Sequence, residues 1–326
     1  MIEARSLFDD DERRALVAEA NLAPSVHNIQ PAQFRFAEDG AIHIVEHPRR
    51  RIPVGDPTGA DNRKSLGAAA EGLVMALAAR NVAAKVRFGD GVRVELDAEA
   101  APDPLRVHVP QRATWRGAFA QASIADARAL SDLARFDDLT VITHASQRAD
   151  IAALYDAVSL LTLRDNAYRE ELVSWMRLAR SHPDWARDGL NAEAMALSSF
   201  EAFGADVVMG KAFRALDRMG LAGSMIAEGA KVKGAAGVVL FHRPATESDY
   251  ETGRCFYRVW LEIAARGLVL CPMSVLADSA DAAAQVKKTW GIAEERKLVT
   301  AFRVGRLPEN ARLPQRVRLP VEELIV

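Results

Sequence analysis

The chain has 326 residues, 49% of them hydrophobic and 26% charged, which is material for a substantial core and excludes a disordered or fibrous protein. Its 42 basic and 44 acidic side chains leave a net charge of −2, so no chain-wide field draws it to nucleic acid or an anionic membrane, and neither is an expected partner. Two cysteines, Cys255 and Cys271, are too few for a disulfide framework and lack metal-ligand spacing, so a reducing compartment and no metal are expected. The opening MIEARSLFDDDERR has no apolar core of the signal-peptide kind, and no run of about 18 uncharged apolar residues occurs, which predicts a cytoplasmic protein. The length suggests about two domains.

Asp9 to Asp11 leading into Glu12 to Leu22 predicts a first helix with acids at its positive end, stopping before Ala23 and Pro24. Phe34 to Phe36 and Ile42 to Val45, separated by Glu38, Asp39 and Gly40, alternate and turn like a β-hairpin. Leu66, Ala69, Ala70, Leu73, Val74 and Leu77 recur at helical spacing and predict a helix with a wide apolar face. Lys85 to Phe88, Val92 to Leu96 and Arg106 to Val109 alternate as strands. Helices and strands mixed in this way predict an α+β fold.

The later chain echoes this grammar. Arg5, Phe8 and a helix are matched by Arg116, Phe119 and the helix around Asp126 to Ala134, an offset of 111 positions. Ala78 to Val82, closing the long helix, is matched by Ala264 to Leu268, closing the helix of Phe256, Val259, Trp260 and Ile263, an offset of 186. Unequal offsets predict an insertion of roughly 75 residues between Ser146 and Gly234. That stretch reads as mostly helical, punctuated by Gly204, Gly210, Gly220, Gly223 and Gly229, and suits either a mobile cover or an extra packed layer.

Ala23 to Phe34 places Ser25, Asn28 and Gln30 on a loop stiffened by Pro24 and Pro31, between a helix and a strand. The residues fit either ligand contact or an ordinary connection whose Ser and Asn satisfy local backbone groups. Arg112, Thr114 and Arg116 set two guanidiniums around a hydroxyl, suited to several charge-assisted bonds with one phosphate or to a solvated basic strand end. Arg316 and Arg318, two apart in Leu313 to Pro320, point to one side of an extended segment, with Arg303, Arg306 and Arg312 near in sequence. Gly267 to Ser274 is a glycine-ended helix exit followed by a turn through Pro272, with Cys271 an apolar neighbour rather than a nucleophile. His27 is either a structural hydrogen-bonder or a donor to a bound group, and Arg49 to Arg51 either bind an anion or form a solvated turn. No GxSxG or phosphate-loop spacing occurs, and the seven histidines are scattered.

Ala23 to Phe34 resembles the APSxxNxQPW segment of the nitroreductase family, with Ile29 and Ala32 as departures, and the His before Asn28 resembles its single-chain, twin-domain Acg-type branch. Arg112 to Phe119 is similar to the family's RRSxRxF element, Leu313 to Pro320 to its PKxRxP tail, and Gly267 to Ser274 to its GLGxxPxGG turn without the paired glycines. Further family-like stretches are Asp56 and Pro57, Asn166 to Trp175, Asp188 to Leu190, and Phe302 to Arg306.

The resemblance implies a nitroreductase-like fold duplicated in one chain, a pseudo-dimer with halves 1–109 and 110–326 and a helical insertion, usable as a lid, at about 150–233. It implies one FMN held by Pro24, Ser25, Val26, Asn28, Gln30, Arg112, Thr114, Arg116, Pro272, Met273, Ser274, Arg316 and Arg318. Four arginines then share the phosphate. The opposite pseudo-site retains only Arg5 and Ser6 of such an element. The implied activity is an NAD(P)H-driven reduction of a flat acceptor such as a nitroaromatic or quinone, in a monomer or weak homodimer. No catalytic side chain is required, because hydride moves through the flavin's own chemistry. The alternative is a flavin-binding or flavin-sequestering protein without reductase activity.

Overall fold

A computed structural model describes residues 8–326; Arg5 and Ser6 lie outside the described residues. Helix α1 (Asp10–Ala20) begins at a reciprocal cap in which the Asp9 carboxylate accepts from the Glu12 amide and the Glu12 carboxylate accepts from the Asp9 amide, each at 2.9 Å. The hairpin forms as β1 (Ala32–Phe36) and β2 (Ile42–Glu46), followed by α2 (Ala60–Ala78), β3 (Val82–Gly89) and β4 (Gly91–Glu99). These four strands make an antiparallel sheet in the order β1-β2-β4-β3.

Arg106 to Val109 is not a strand. It belongs to a 3₁₀ turn, Pro104–His108, because the Asp103 carboxylate accepts from the Leu105 amide at 2.8 Å and Pro104 occupies the first turn position, where a missing donor costs nothing. Its buried residues, Leu105 and Val109, are four apart, a helical spacing that the local alternation concealed.

After α3 (Ile124–Leu133) and β5 (Leu139–Ile142) comes a mostly helical excursion: α4 (Ala145–Arg164), α5 (Asn166–Ser174), the two-residue parallel pair β6 (Met176–Arg177) and β7 (Leu190–Asn191), then α6 (Ser199–Val207), α7 (Phe213–Arg218), α8 (Ala222–Ile226) and α9 (Gly229–Lys233). The chain returns through β8 (Gly237–Pro244), α10 (Asp249–Ala265), β9 (Val269–Pro272), α11 (Val275–Asp278), α12 (Ala280–Trp290) and β10 (Arg296–Gly305). The second sheet is again antiparallel, ordered β5-β8-β10-β9. Both sheets therefore place their strands first, second, fourth, third in chain order, with a long helix between the second and third. Mixed helices and antiparallel sheets make the α+β class, as expected.

Helices α2 and α10 meet where Gly67 and Gly253 remove the side chains that would keep them apart. A Cβ on Gly67 would stand 1.9 Å from the Tyr250 carbonyl, and one on Gly253 would stand 1.9 Å from the Lys64 carbonyl. The contact is reciprocal: 67 meets 250 and 253 meets 64, each pair of equivalents 186 apart. Arg63 donates to Asp249 across the same seam at 2.7 Å, also 186 apart. Buried Glu71 accepts from Arg254 at 2.8 Å and Arg258 at 2.7 Å, so the acid is satisfied where it leaves water.

The C-terminal tail crosses from the second sheet to the first. Phe34 donates to the Leu324 carbonyl at 2.7 Å, Val326 donates back to the Phe34 carbonyl at 2.9 Å, and Leu319 and Leu324 are buried among the side chains of β1, β2 and α2. This crossing carries Arg316 and Arg318 to the loop after α1.

No side chain larger than hydrogen fits the helix crossing without moving backbone, so Gly67→Val and Gly253→Val are each expected to cost at least roughly 1–3 kcal/mol, the usual range for overpacking. A lowered urea midpoint at unchanged slope measures the effect; wild-type midpoints for both variants contradict the close approach.

Candidate functional site

The loop leaving α1 is built against its own preferences. His27, Asn28 and Gln30 all have left-handed backbone, with φ of 43°, 57° and 53°. Asparagine tolerates that region, whereas His27 and Gln30 store strain that the surroundings must hold in place. Ser25 supplies part of the hold, its hydroxyl accepting from the Gln30 amide at 3.0 Å, and Ser65 on α2 accepts from the Val26 amide at 3.2 Å.

Gln30 supplies more. Its buried side chain accepts from Asn21 at 3.0 Å and the Leu319 amide at 2.8 Å, and donates to the Asn28 carbonyl at 3.3 Å and the Arg187 carbonyl at 2.8 Å. All of its polar groups are used inside the protein, so Gln30 fastens loop, tail and excursion together and has none left for a ligand.

Three arginines converge on this loop. Arg318 donates to the carbonyls of Asn21, Leu22 and Ala23 and, at 2.8 Å, to the Asn28 side-chain oxygen. Arg112 donates to the Leu22 carbonyl at 2.9 Å, and Arg316 donates to the carbonyls of Val109, at 2.9 Å, and Arg112. Every acceptor is neutral. No carboxylate pairs with any of the three among the described residues, in a chain where most arginines find one.

The electrostatic consequence is large. Burial, then the Arg316 charge, pushes Arg112 down to about 9, and burial with the Arg112 and Arg316 charges holds Arg318 well below its ordinary value. Arginine does not surrender its proton at neutral pH, so both guanidiniums stay charged and bear the cost of burial first and of one another's charge second. The Arg112 Nε is buried without a partner, and the buried Tyr257 hydroxyl faces Arg112 without closing a well-formed bond to it. Trp260 on α10 lies under the Arg112 guanidinium, 4.6 Å from ring centroid to Cζ, and steadies the charge from below. Arg316 and Arg318 are only half-buried, alternating along the tail with buried Val317 and Leu319, so the cluster is reachable from solvent.

Arg116 is not in this cluster. Its Nη1 donates to the Ala194 carbonyl of the excursion at 2.9 Å, and its charge is felt at His27 instead. The expected group of four arginines is thus three together and one displaced toward the middle of the loop. Arg303 and Arg306 are also used elsewhere: Arg303 is fully buried beside Glu228 at 3.1 Å, and Arg306 pairs with Asp126. Arg50 pairs with Asp188 at 2.8 Å in the interior, and Arg51 pairs with Glu46 at 2.8 Å at the surface, so both are engaged within the chain.

Thr114 and the turn through Pro272 come together. Thr114 bridges Leu270 at the edge of β9, and the Trp115 amide donates to the Leu270 carbonyl at 2.8 Å. Pro272 ends β9, the Met273 amide is tied to the Ala301 carbonyl at 2.7 Å, and exposed Ser274 opens α11. Cys271 is buried, but it is not simply an apolar neighbour: its Sγ accepts from the fully buried Arg303 guanidinium at 3.5 Å, a basic partner thirty-two positions away that no local pattern announces.

The excursion closes the loop on one side. Gly189 donates to the Asn28 carbonyl at 3.3 Å, the Asn28 side chain donates to the Gly189 carbonyl at 3.4 Å, and Asp188, held by Arg50 and Arg177, anchors the strap. Sequence reasoning missed Asn21, Tyr257 and Trp260. The last two sit on α10, where Trp260 reads as part of the helix pattern and Tyr257 has no place in it; only a polar tip on each distinguishes them from the apolar residues around them.

No family model matches this chain, and no curated protein does. Similar solved structures include the FMN and NADPH-dependent nitroreductase NfnB from Sphigopyxis sp. strain HMH, 18% identical over 69% of this chain and 98% of that one, with a TM-score of 0.39. The FMN-dependent nitroreductase NfnB from Mycobacterium smegmatis in complex with NADPH is 22% identical over 64% and 92%, at 0.35. Oxidized iodotyrosine deiodinase bound to FMN and 3-iodo-L-tyrosine is 12% identical over 66% and 96%, at 0.37. Among the described residues no helix is long and apolar enough to cross a membrane, and no cluster of side chains has the makings of a metal site.

His27, partly buried, is lowered from 6.5 to about 4 by burial first and the Arg116 charge second. The unfolded chain therefore takes up this proton before the folded one, so its contribution to stability is complete above pH 6.5 and is lost as pH falls toward 4. His27→Asn, which also suits the left-handed backbone, is expected to flatten the acid limb by on the order of 1–3 kcal/mol at pH 4. Urea unfolding of both proteins between pH 4 and 7 measures it, and parallel curves contradict the assignment.

Proposed function

We propose that this chain is an FMN-binding oxidoreductase of the nitroreductase-like fold, made of two related halves, with Arg112, Arg316 and Arg318 holding the cofactor phosphate. The three guanidiniums without a carboxylate carry the reading. A phosphate monoester dianion is the kind of group such a donor set fits: it supplies two charges and several acceptor lone pairs to cations whose present acceptors are all neutral carbonyls or an amide oxygen. The unpartnered Arg112 Nε and Tyr257 hydroxyl are further donors for it. The repeated strand order and the reciprocal contacts at a constant spacing of 186 support the duplication, with halves 1–109 and 110–326 and the excursion from about 150 to 233 inserted in the second.

When bound, FMN supplies the hydride acceptance and donation at its ring; the chain supplies position and dryness. The strained run from Pro24 to Asn28 offers a rigid wall for a flat ring, and the turn at Pro272, Met273 and Ser274, pinned to β10 through the Met273 amide, would supply a second fixed surface. Thr114 and Arg116 lie on the same stretch as Arg112, and Arg116, whose charge reaches His27, would add a further cation toward the cofactor. No side chain in the set is needed as acid, base or nucleophile. NADH or NADPH as donor and a nitroaromatic or quinone as acceptor are the partners this reading implies.

A second reading, flavin sequestration without turnover, is favoured by the strap at 187–189, whose bonds to Asn28 and Gln30 cover one side of the loop. One measurement separates the two. After reconstitution with FMN, the reductase loses its flavin absorbance on anaerobic addition of NADH or NADPH and regains it on adding an acceptor; the sequestering protein stays oxidised.

Binding itself is tested by comparing FMN with riboflavin, which lacks the phosphate. Arg316→Ala is expected to weaken FMN by roughly 1.5–3 kcal/mol, about ten- to a hundredfold, and to leave riboflavin unchanged. Equal losses for both flavins, or no binding of FMN by the wild type, contradict the phosphate assignment.

A further inference from the structure

The excursion presents its apolar side chains to water. Phe200, Phe203 and Val207 on α6 are 85%, 69% and 42% exposed, whereas Ala202 on the opposite side of the helix is buried. Spacings of three and four put the exposed three on one stripe. Beyond a kink at Gly210, Lys211, Arg214 and Arg218 are exposed as well, while Phe213 turns inward under Arg169. The water-facing side chains of this segment therefore begin with two phenylalanines and a valine and go on with three cations. Met219, Leu221 and Met225 follow within eight residues of Arg218, also exposed.

The charges on this face are unequal in their partners. Of its carboxylates, Glu201 caps the start of α6 and Asp217 is held by Arg164 at 3.0 Å, leaving Asp206 alone. Lys211, Arg214 and Arg218 have no ion-pair partner among the described residues. A surface helix ordinarily turns its polar side to water and its apolar side to the core. Exposed phenylalanines joined to unmatched cations are the pattern of a helix that lies in a bilayer interface, apolar side chains among the acyl chains and cations among anionic headgroups.

We infer that the face formed by Phe200, Phe203, Val207, Lys211, Arg214 and Arg218 docks on an anionic lipid bilayer surface. A second copy of this chain fits less well, because the face offers it a single unpaired carboxylate, Asp206, against three cations, whereas an anionic bilayer supplies a counter-charge for each. The balanced charge of the whole chain does not oppose the assignment, since attraction to a charged surface is local and fades within about 10 Å at 0.1 M salt. The inference is independent of the flavin: it concerns the outer side of the excursion and uses none of the arginines assigned to phosphate.

Co-sedimentation with vesicles tests it. The full chain is expected to pellet with equimolar phosphatidylcholine and phosphatidylglycerol vesicles and to remain in the supernatant with phosphatidylcholine alone. Phe200→Ser with Phe203→Ser, both surface changes checked for folding by circular dichroism, abolishes pelleting. Lys211→Gln with Arg214→Gln and Arg218→Gln weakens it at least about tenfold. Three results overturn the inference: a wild type that ignores both vesicles, one that binds both equally, or one that sediments as a dimer which the paired Phe→Ser change converts to monomer, which assigns the face to a second copy.

Discussion

Charge of one sign, gathered without its counterpart, governs the arrangement at the end of α1. Arg112, Arg316 and Arg318 are held together by neutral oxygens, the carbonyls of Asn21, Leu22, Ala23, Val109 and Arg112 and the side chain of Asn28, by Trp260 under Arg112, and by the anchoring of the tail on β1. Each oxygen is a modest acceptor, and repulsion among the three persists. The rest of the local structure follows from keeping this cluster in place: a loop forced into left-handed backbone, a buried glutamine with every polar atom engaged, and a tail drawn across from the other sheet.

That tail joins the two sheets through a route the helices do not provide. Its last residues pair with β1, its buried Leu319 and Leu324 sit in the first core, and its arginines stand at the only stretch where loop, 3₁₀ turn and tail meet among the described residues. The tail thus serves the first sheet and the cluster at once, covering the edge of β1 and supplying two of the three cations.

Much of this was legible in the chain, for a stated reason: the informative motifs are local. Pro24, Ser25, Asn28 and Pro31 mark a stiff loop by their own stereochemistry, and alternating Arg316 and Arg318 predict a shared side without knowledge of what lies opposite. Where side chains end was not legible. Arg116 departs from its neighbour Arg112 because Ala194, seventy-eight positions on, offers a carbonyl, and no local pattern announces that. Gln30 read as a ligand contact, yet its four partners come from positions 21, 28, 187 and 319. The 3₁₀ turn at Pro104–His108 was mistaken for a strand because alternation over four residues cannot outweigh a proline and an aspartate cap.

The crossing of α2 and α10 has a mechanical meaning. With glycine on both sides, main chain rests on main chain, and no layer of side chains is present to change rotamer and let one helix glide past the other. Sliding is blocked, and the Arg63–Asp249 pair across the same seam resists rotation, so the two helices are held as one rigid body.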